Sequence, residues 1–318
     1  MAYDTVHDVK INMKTNHNLD FSIVIPLKDE ADNIPILDKE IRQVMDKLGS
    51  YEVIYINDGS TDNSLNELTK LKQAKIINLN RNYGQATAID AGFKAAKGKY
   101  VVSMDADLQN DPKDIPRLLH KLKQDNLDVV AGWRRYRKDK TGFRILTRIG
   151  RFLRNNIIKD DVHDTGCTLR IYKNQAVKSL DLSGEMHRYI LALLRWKGYK
   201  IGEIEVNHRA RTRGQTKYGY SKSIRGFIDL LYIWFIQKYS QRPLHIFGTA
   251  GIFSFLLGAG IEVWMLYEKI FNHIDLSANA WFLLGFFLII TGILLFSFGI
   301  VIDLLMKTHF NSSPFEKR

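Results

Sequence analysis

The chain has 318 residues, with 46 Lys and Arg against 34 Asp and Glu, for a formal net charge of +12. That length allows one large domain or two smaller ones, and the charge favours an anionic partner: nucleic acid, a phosphorylated ligand or acidic lipid. The single cysteine, Cys167, excludes an intramolecular disulfide and fits a reducing compartment.

Residues 1–20 are polar and charged, without the apolar stretch of a signal peptide, and read as a loosely attached tail. Residues 21–26, Phe-Ser-Ile-Val-Ile-Pro, form a short β-rich run closed by proline. Residues 34–48 have helical spacing of apolar positions and end at Gly49. A second strand over 51–56 runs into the turn signal Asn57-Asp58-Gly59-Ser60. Thr61 or Asp62 can cap the helix predicted over 64–72. Strands follow at 74–79, 100–104 and 127–131, with helices at 84–97 and 115–124 between them. Alternating strand and helix implies an α/β fold with a mainly parallel sheet. Ligands of such sheets bind beyond the carboxyl ends of the strands, where Glu30, Asp58, Asp105 and Asp107 fall.

The pentapeptide Asp105-Ala106-Asp107-Leu108-Gln109 carries the most chemistry. Alternation along an extended backbone puts the carboxylates of Asp105 and Asp107 on one side. There they can share one divalent cation, which can in turn hold a diphosphate. A Gly-x-Gly-x-x-Gly after the first strand and a Gly-x-x-x-x-Gly-Lys-Ser/Thr are both absent, which disfavours a dinucleotide-binding domain and a P-loop NTPase. The sequence shows no nucleic-acid motif. His163, His187 and His208 form no recognisable metal cluster and read as surface or packing residues.

Composition changes near Pro243. Residues 244–267 hold one charge, Glu262, and residues 281–306 hold only Asp303. Each run is long enough to cross a bilayer core, which needs about 20 residues. The link at 268–280 fits a helical hairpin. Lys238 and Arg242 before the first span and Lys307, Lys317 and Arg318 after the second, against Lys269 in the link, orient both termini and the N-terminal domain to the cytoplasm. Trp264, Tyr267 and Trp281 fall near the far interface. Residues 217–243 mix cations with aromatic and aliphatic residues, as helices lying at the membrane surface do.

Together these motifs resemble the family 2 inverting glycosyltransferases with a GT-A fold, and within them the polyprenyl-phosphate glycosyltransferases. The matching residues are Val24-Ile25-Pro26 through Glu30, Asn57 to Ser60, Asn80-Arg81-Asn82-Tyr83-Gly84-Gln85, Asp105 to Gln109, Gly132-x-Arg134 and Arg211-x-x-Gly214-x-Thr216-Lys217-Tyr218. Asn80 to Gln85 and Gly166-Cys167-x-Leu169-Arg170-x-Tyr172 look closest to the undecaprenyl-phosphate aminoarabinose transferases. The resemblance implies a tail over 1–20, a cytoplasmic catalytic domain over 21–216, interfacial helices over 217–243, and a transmembrane hairpin with a short tail over 244–318.

It also implies roles. Pro26 and Glu30 line the nucleoside pocket and Asp58 contacts the base. Asp105, Asp107 and Gln109 hold Mg²⁺ or Mn²⁺ on the donor diphosphate. Arg134, within the basic stretch 134–154, meets the lipid phosphate, with Arg148 a second match. Arg211 and Lys217 clamp the diphosphate, with Arg209 and Arg213 as neighbours that compete for the match to Arg211. Asp164 corresponds in place to a general base of other inverting enzymes, though it can equally orient sugar or acceptor. The expected partners are a nucleotide-diphosphate sugar, a polyprenyl phosphate, the membrane and further copies of the chain, tetramers being known among relatives. Two other readings stay open: a processive polysaccharide synthase, whose Gln-x-x-Arg-Trp is here Ala192-x-x-Arg195-Trp196, and a non-catalytic membrane scaffold that binds nucleotide sugars or assembles partners.

Overall fold

Strands with no solvent-facing side dominate the first half of the chain. In the computed structural model, which describes residues 7–9, 19–135, 162–209, 243–276 and 279–311, β2 (Phe21–Leu27) is buried at every position. Its side chains alternate between two cores. Ile23 and Ile25 pack with α1 (Ile34–Met45) and α4 (Ile115–Gln124), while Val24 packs on the opposite face with α3 (Gln85–Ala95). Helices on both faces of a parallel sheet explain why these strands read as continuous apolar runs.

The sheet has eight strands in the order β1-β4-β3-β2-β5-β7-β6-β8. β2 is central and pairs in parallel with β3 (Tyr51–Asp58) and β5 (Tyr100–Ser103), and β3 pairs in parallel with β4 (Lys75–Leu79). β7 (Arg170–Lys173) runs antiparallel between β5 and β6 (Val129–Trp133), and β8 (Ile201–Glu205) closes the far edge parallel to β6. The strands and helices expected over residues 21–131 are all present, with ends moved by a few residues. Asn63 is the N-cap of α2 (Ser64–Thr69) without a side-chain cap bond, and Asp62, one residue earlier, accepts the Ser64 N–H at 2.9 Å. α4 buries Ile115, Leu118, Leu119 and Leu122, the one-face spacing of an amphipathic helix. Two short helices, α5 (Asn174–Lys178) and α6 (Ile190–Trp196), follow β7. Within the polar tail, β1 (His7–Val9) pairs antiparallel with β4, so this part is an edge strand and not a loose end.

The chain divides into two compact units, Met1–Asp229 and Leu230–Arg318. The interfacial helices expected over 217–243 lie, except for Pro243, outside the described residues. The second unit is a hairpin of α7 (Pro243–Asn272) and α8 (Ala280–Asn311), both long and apolar enough to cross a membrane. Their outer faces are apolar as well: Phe253, Val263, Leu283 and Phe287 are exposed. A core helix of a soluble protein would hide such residues.

Glycines seven residues apart set how the hairpin closes. A Cβ on Gly251 would lie 2.7 Å from the Gly292 carbonyl, and one on Gly258 would lie 2.6 Å from the Gly285 carbonyl. Lipid tails give helices no hydrophobic reason to associate, so close backbone approach and polar contacts do it. Ser254 Oγ adds a hydrogen bond to the Leu288 carbonyl at 2.8 Å, and Trp264 meets Trp281 edge-on at 6.0 Å. Glu262 turns one carboxylate oxygen toward Gly285, where it is buried without a hydrogen-bond partner.

Leucine at 258 should force the seam apart at an overpacking cost of about 1–3 kcal/mol, whereas leucine at Gly260, which has nothing within 4 Å, should not. Disulfide cross-linking between cysteines placed at 254 and 288 in native membranes checks this. Gly258→Leu is expected to remove most of the cross-linked product and Gly260→Leu to leave it.

Candidate active site

β2, β3, β4 and β5 all run in one direction, so their carboxyl ends share one sheet edge. Pro26, Glu30, Asp58, Asp105 and Asp107 meet there, lining a single cavity of about 330 Å³. A neighbouring cavity of about 520 Å³ lies over β3 and β4 and shares Lys28 and Asn82 with the first.

The loop after β2 is shaped by the loop after β3. Asp29 takes a left-handed φ of 58°, stabilised because its carboxylate accepts the Thr61 N–H at 2.7 Å and its own N–H donates to Ser60 Oγ at 2.9 Å. Glu30 follows, its N–H bonded to Ser64 Oγ and its carboxylate accepting from Asn33. Both loops therefore present their carboxylates in fixed positions.

Asp58 organises more than the sequence suggests. Its two oxygens accept the N–H groups of Tyr83 at 2.7 Å and Gly84 at 3.0 Å. Residues 80–85 are thereby drawn over the turn after β3. Gly59, at φ +61°, allows this approach, since a Cβ there would lie 2.5 Å from the Arg81 and Asn82 backbone. Gln85 then opens α3, and its Nε2 donates to Asp105 Oδ1 at 2.9 Å.

The carboxylates of Asp105 and Asp107 converge, but not by strand alternation. β5 stops at Ser103, and a turn brings Asp107 round, with Leu108 at φ +61° and the Gln109 N–H donating to Asp107 Oδ1 at 3.2 Å. A non-glycine residue held at such a φ is strained, and strain of this kind gathers at functional sites. Gln109 lies at the exit of the turn, outside the cavity lining, with its carbonyl accepting the Arg209 N–H at 2.9 Å.

Desolvation in the cavity wall, and then the charge of Asp107, push the Asp105 carboxyl up to about 6. A hydrogen bond from Thr168 and the charges of Arg134 and Arg170 work against that rise. Thr168 is itself fixed, its hydroxyl accepting from Asn110 at 2.9 Å and its carbonyl accepting from Ser103 at 2.7 Å. Arg170, almost fully buried, braces the turn before it through the carbonyls of Thr165 and Cys167. Two crowded carboxylates with one of them reluctant to ionise fit a divalent cation, which would relieve their repulsion and accept hard oxygen ligands.

Asp164 is held by Arg134. Its Oδ2 accepts Arg134 Nε at 2.6 Å and the Arg134 N–H at 3.2 Å, while Oδ1 accepts the other guanidinium arm at 3.0 Å and the Gly166 N–H at 3.1 Å. Burial alone would raise this carboxyl, but the Arg134 guanidinium and the two backbone donors hold it below the usual carboxylate range. A carboxylate so engaged is a poor proton acceptor. Beside it Trp133 stacks on His163 at 4.5 Å, His163 bonds Glu203, and Arg135 pairs with Glu205 at 2.7 Å. The chain is thus clasped on both sides of residues 136–161.

Arg148, Arg211, Arg213 and Lys217 lie outside the described residues. Arg209 is described, and it is committed elsewhere, pairing with Glu40 at 2.7 Å and Asp111 at 2.8 Å. His187 is partly buried, and desolvation and then nearby arginines push it down to about 4, which keeps it neutral and fits packing. No group of three His, Cys, Asp or Glu suited to a metal occurs among the described residues. The sequence missed Gln85, Asn110, Thr168 and Arg170 as the shell around Asp105. Gln85 and Arg170 sat in motifs already singled out, while nothing local marked Thr168 or Asn110.

In protein stripped of divalent cations, the raised folded value of Asp105 means that its ionisation lowers stability progressively from about pH 4 to about pH 6, with the full cost present above that. Asp105→Asn should therefore stabilise the protein at pH 7.5 by roughly 1–2 kcal/mol, seen as a higher thermal midpoint, and stabilise it less at pH 5. Melting curves at the two pH values check the sign; an equal loss at both would mean that the carboxylate is not under strain.

Residues 22–181 match the family model of glycosyl transferase family 2. The chain is 32% identical to dodecaprenyl-phosphate galacturonate synthase of Rhizobium johnstonii, over 98% of this chain and 95% of that protein. It is 37% identical to undecaprenyl-phosphate 4-deoxy-4-formamido-L-arabinose transferase of Shewanella sediminis, over 75% of this chain and 72% of that one. Among solved structures, glucosyl-3-phosphoglycerate synthase of Mycobacterium tuberculosis, crystallised with Mn²⁺, UDP and glucosyl-3-phosphoglycerate, superposes with a TM-score of 0.55 at 19% identity, covering 68% of this chain and 80% of that one. The carboxyl-edge cavity, the GT-A sheet around it and the length of these matches lead to one conclusion: the chain belongs to glycosyl transferase family 2.

Proposed function

We propose that this protein transfers a sugar, with inversion, from a nucleotide-diphosphate sugar to a polyprenyl phosphate at the membrane. The observation that carries this reading is the joining of Glu30 and Asp58 to Asp105 and Asp107 in one cavity at the carboxyl edge of the sheet. That cavity offers polar groups for a ribose and base at one end and paired carboxylates at the other. Relatives along nearly the whole chain carry the names of prenyl-phosphate sugar transferases.

Glu30 and Pro26 face the nucleoside, with Asp58 beside the base. Asp105 and Asp107, with Gln109, are the residues to hold Mg²⁺ or Mn²⁺, which when bound neutralises charge on the departing diphosphate. Arg134 is the described cation nearest in role to the acceptor phosphate, and Arg148 serves the same end. Arg211 and Lys217 stand on the diphosphate. A phosphate oxygen of the lipid bonds to the anomeric carbon as the bond from that carbon to the diphosphate breaks, and the nucleoside diphosphate leaves. The acceptor has a second pKa of about 6, so it is mostly dianionic at neutral pH and needs no base. Asp164 then positions Arg134 rather than accepting a proton. Basic flanks put the catalytic domain and both termini on the cytoplasmic side, and oligomers of the kind known in relatives are expected.

Purified protein with Mg²⁺ or Mn²⁺, undecaprenyl phosphate and a panel of UDP- and GDP-sugars should form one sugar-labelled lipid, read by mass spectrometry. Asp107→Asn should abolish the product without loss of fold. Asp164→Asn should raise the KM for the lipid while keeping kcat within about tenfold, where loss of a general base would cost 10²–10⁴-fold. Donor binding without any lipid product across the panel would favour a scaffold; a polymer would favour a synthase.

A further inference from the structure

Residues 80–85 connect the two ends of the cavity. At one end Asp58 holds the N–H groups of Tyr83 and Gly84, and at the other Gln85 Nε2 holds Asp105 Oδ1. The segment between lies against Gly59 and is tied within itself, Tyr83 Oη donating to Asn80 Oδ1 at 2.9 Å and the Gly84 N–H to Asn82 Oδ1 at 3.0 Å. On its other side it has room: a Cβ on Gly84 would meet nothing within 4 Å, and Tyr83 is 40% exposed. A segment held by a handful of bonds and free on one flank is ordered only as well as those bonds allow.

We infer that Gln85 is a positioning residue that makes nucleoside binding and divalent-cation binding reinforce each other. This rests on the donor-site reading above. A nucleoside seated against Asp58 restrains residues 80–85 and thereby aims the Gln85 amide. The amide fixes one oxygen of Asp105, so the cation meets a carboxylate that has already lost its rotamer freedom. The reverse holds by linkage: a cation on Asp105 restrains the amide, and through it the segment that borders the nucleoside. No contact between the two ligands is required, which sets this coupling apart from the direct one a diphosphate makes.

The test uses nucleosides, which carry no phosphate to bridge to the metal. Uridine and guanosine are titrated into the full-length protein in detergent, with and without saturating Mn²⁺, and Mn²⁺ is titrated with and without the nucleoside that binds. In the unaltered protein each ligand should tighten the other by the same factor, about fivefold. Gln85→Met and Gln85→Leu should each reduce that factor to about one while leaving the metal-free nucleoside affinity within about twofold, which also reports an intact fold. Two variants are read so that loss of fold in one does not stop the test. Coupling that survives in the variants, or is absent from the unaltered protein, overturns the inference alone. If neither nucleosides nor their diphosphates bind, the donor site itself is misassigned and the inference falls with it.

Discussion

The carboxylate of Asp105 is the group around which the rest of the site is arranged. It stands just beyond a buried strand with Asp107 beside it, and two such charges in a partly buried cavity wall repel more than they would in water. Thr168 and Gln85 fix the carboxylate by hydrogen bonds, and Arg134 and Arg170 supply opposing charge from beyond it. None of these removes the carboxylate pair from the cavity. Two carboxylates that share one cavity wall are the donor set that a hard divalent cation fits.

A second ion pair decides what the site does not do. Asp164 occupies the place of a base, yet every oxygen it has is engaged by Arg134 or a backbone donor. The pair joins Arg134 and Asp164 across the sequence on either side of the basic residues 136–161. An acceptor that arrives ionised makes the loss of a base harmless. In the proposed reaction, part of the chain's charge excess would serve the phosphates of its two substrates.

Much of this was legible in the sequence because it is local. Apolar runs closed by Pro26, Asp58 and Asp105 gave strands and their carboxyl ends, and those ends collected the acidic residues. The two apolar spans announced the hairpin, although the glycine seam at 251, 258, 285 and 292 becomes meaningful only when the two helices are set antiparallel. What stayed hidden depends on partners far apart in the chain. β7 is too short to carry a pattern and is defined by its antiparallel neighbours, and β1 is polar and exists by pairing with β4. Thr168 reaches Asp105 only through the fold. The approach of Asp105 and Asp107 was expected from the pleat of a strand and is made by a turn, since β5 ends too early. Arg209, indistinguishable from Arg211 by composition, is set apart by its pairing with Glu40 and Asp111.

In the proposed reaction the apolar hairpin would keep the protein where its lipid acceptor is, and the sheet edge would hold the leaving group. The most direct measurement of the central claim is a structure of the protein with Mn²⁺ and a nucleoside diphosphate. One cation ligated by Asp105 and Asp107 and touching the diphosphate, with Asp164 still on Arg134, is the result expected. A cation bound away from that pair, or Asp164 freed and facing the sugar site, would contradict it.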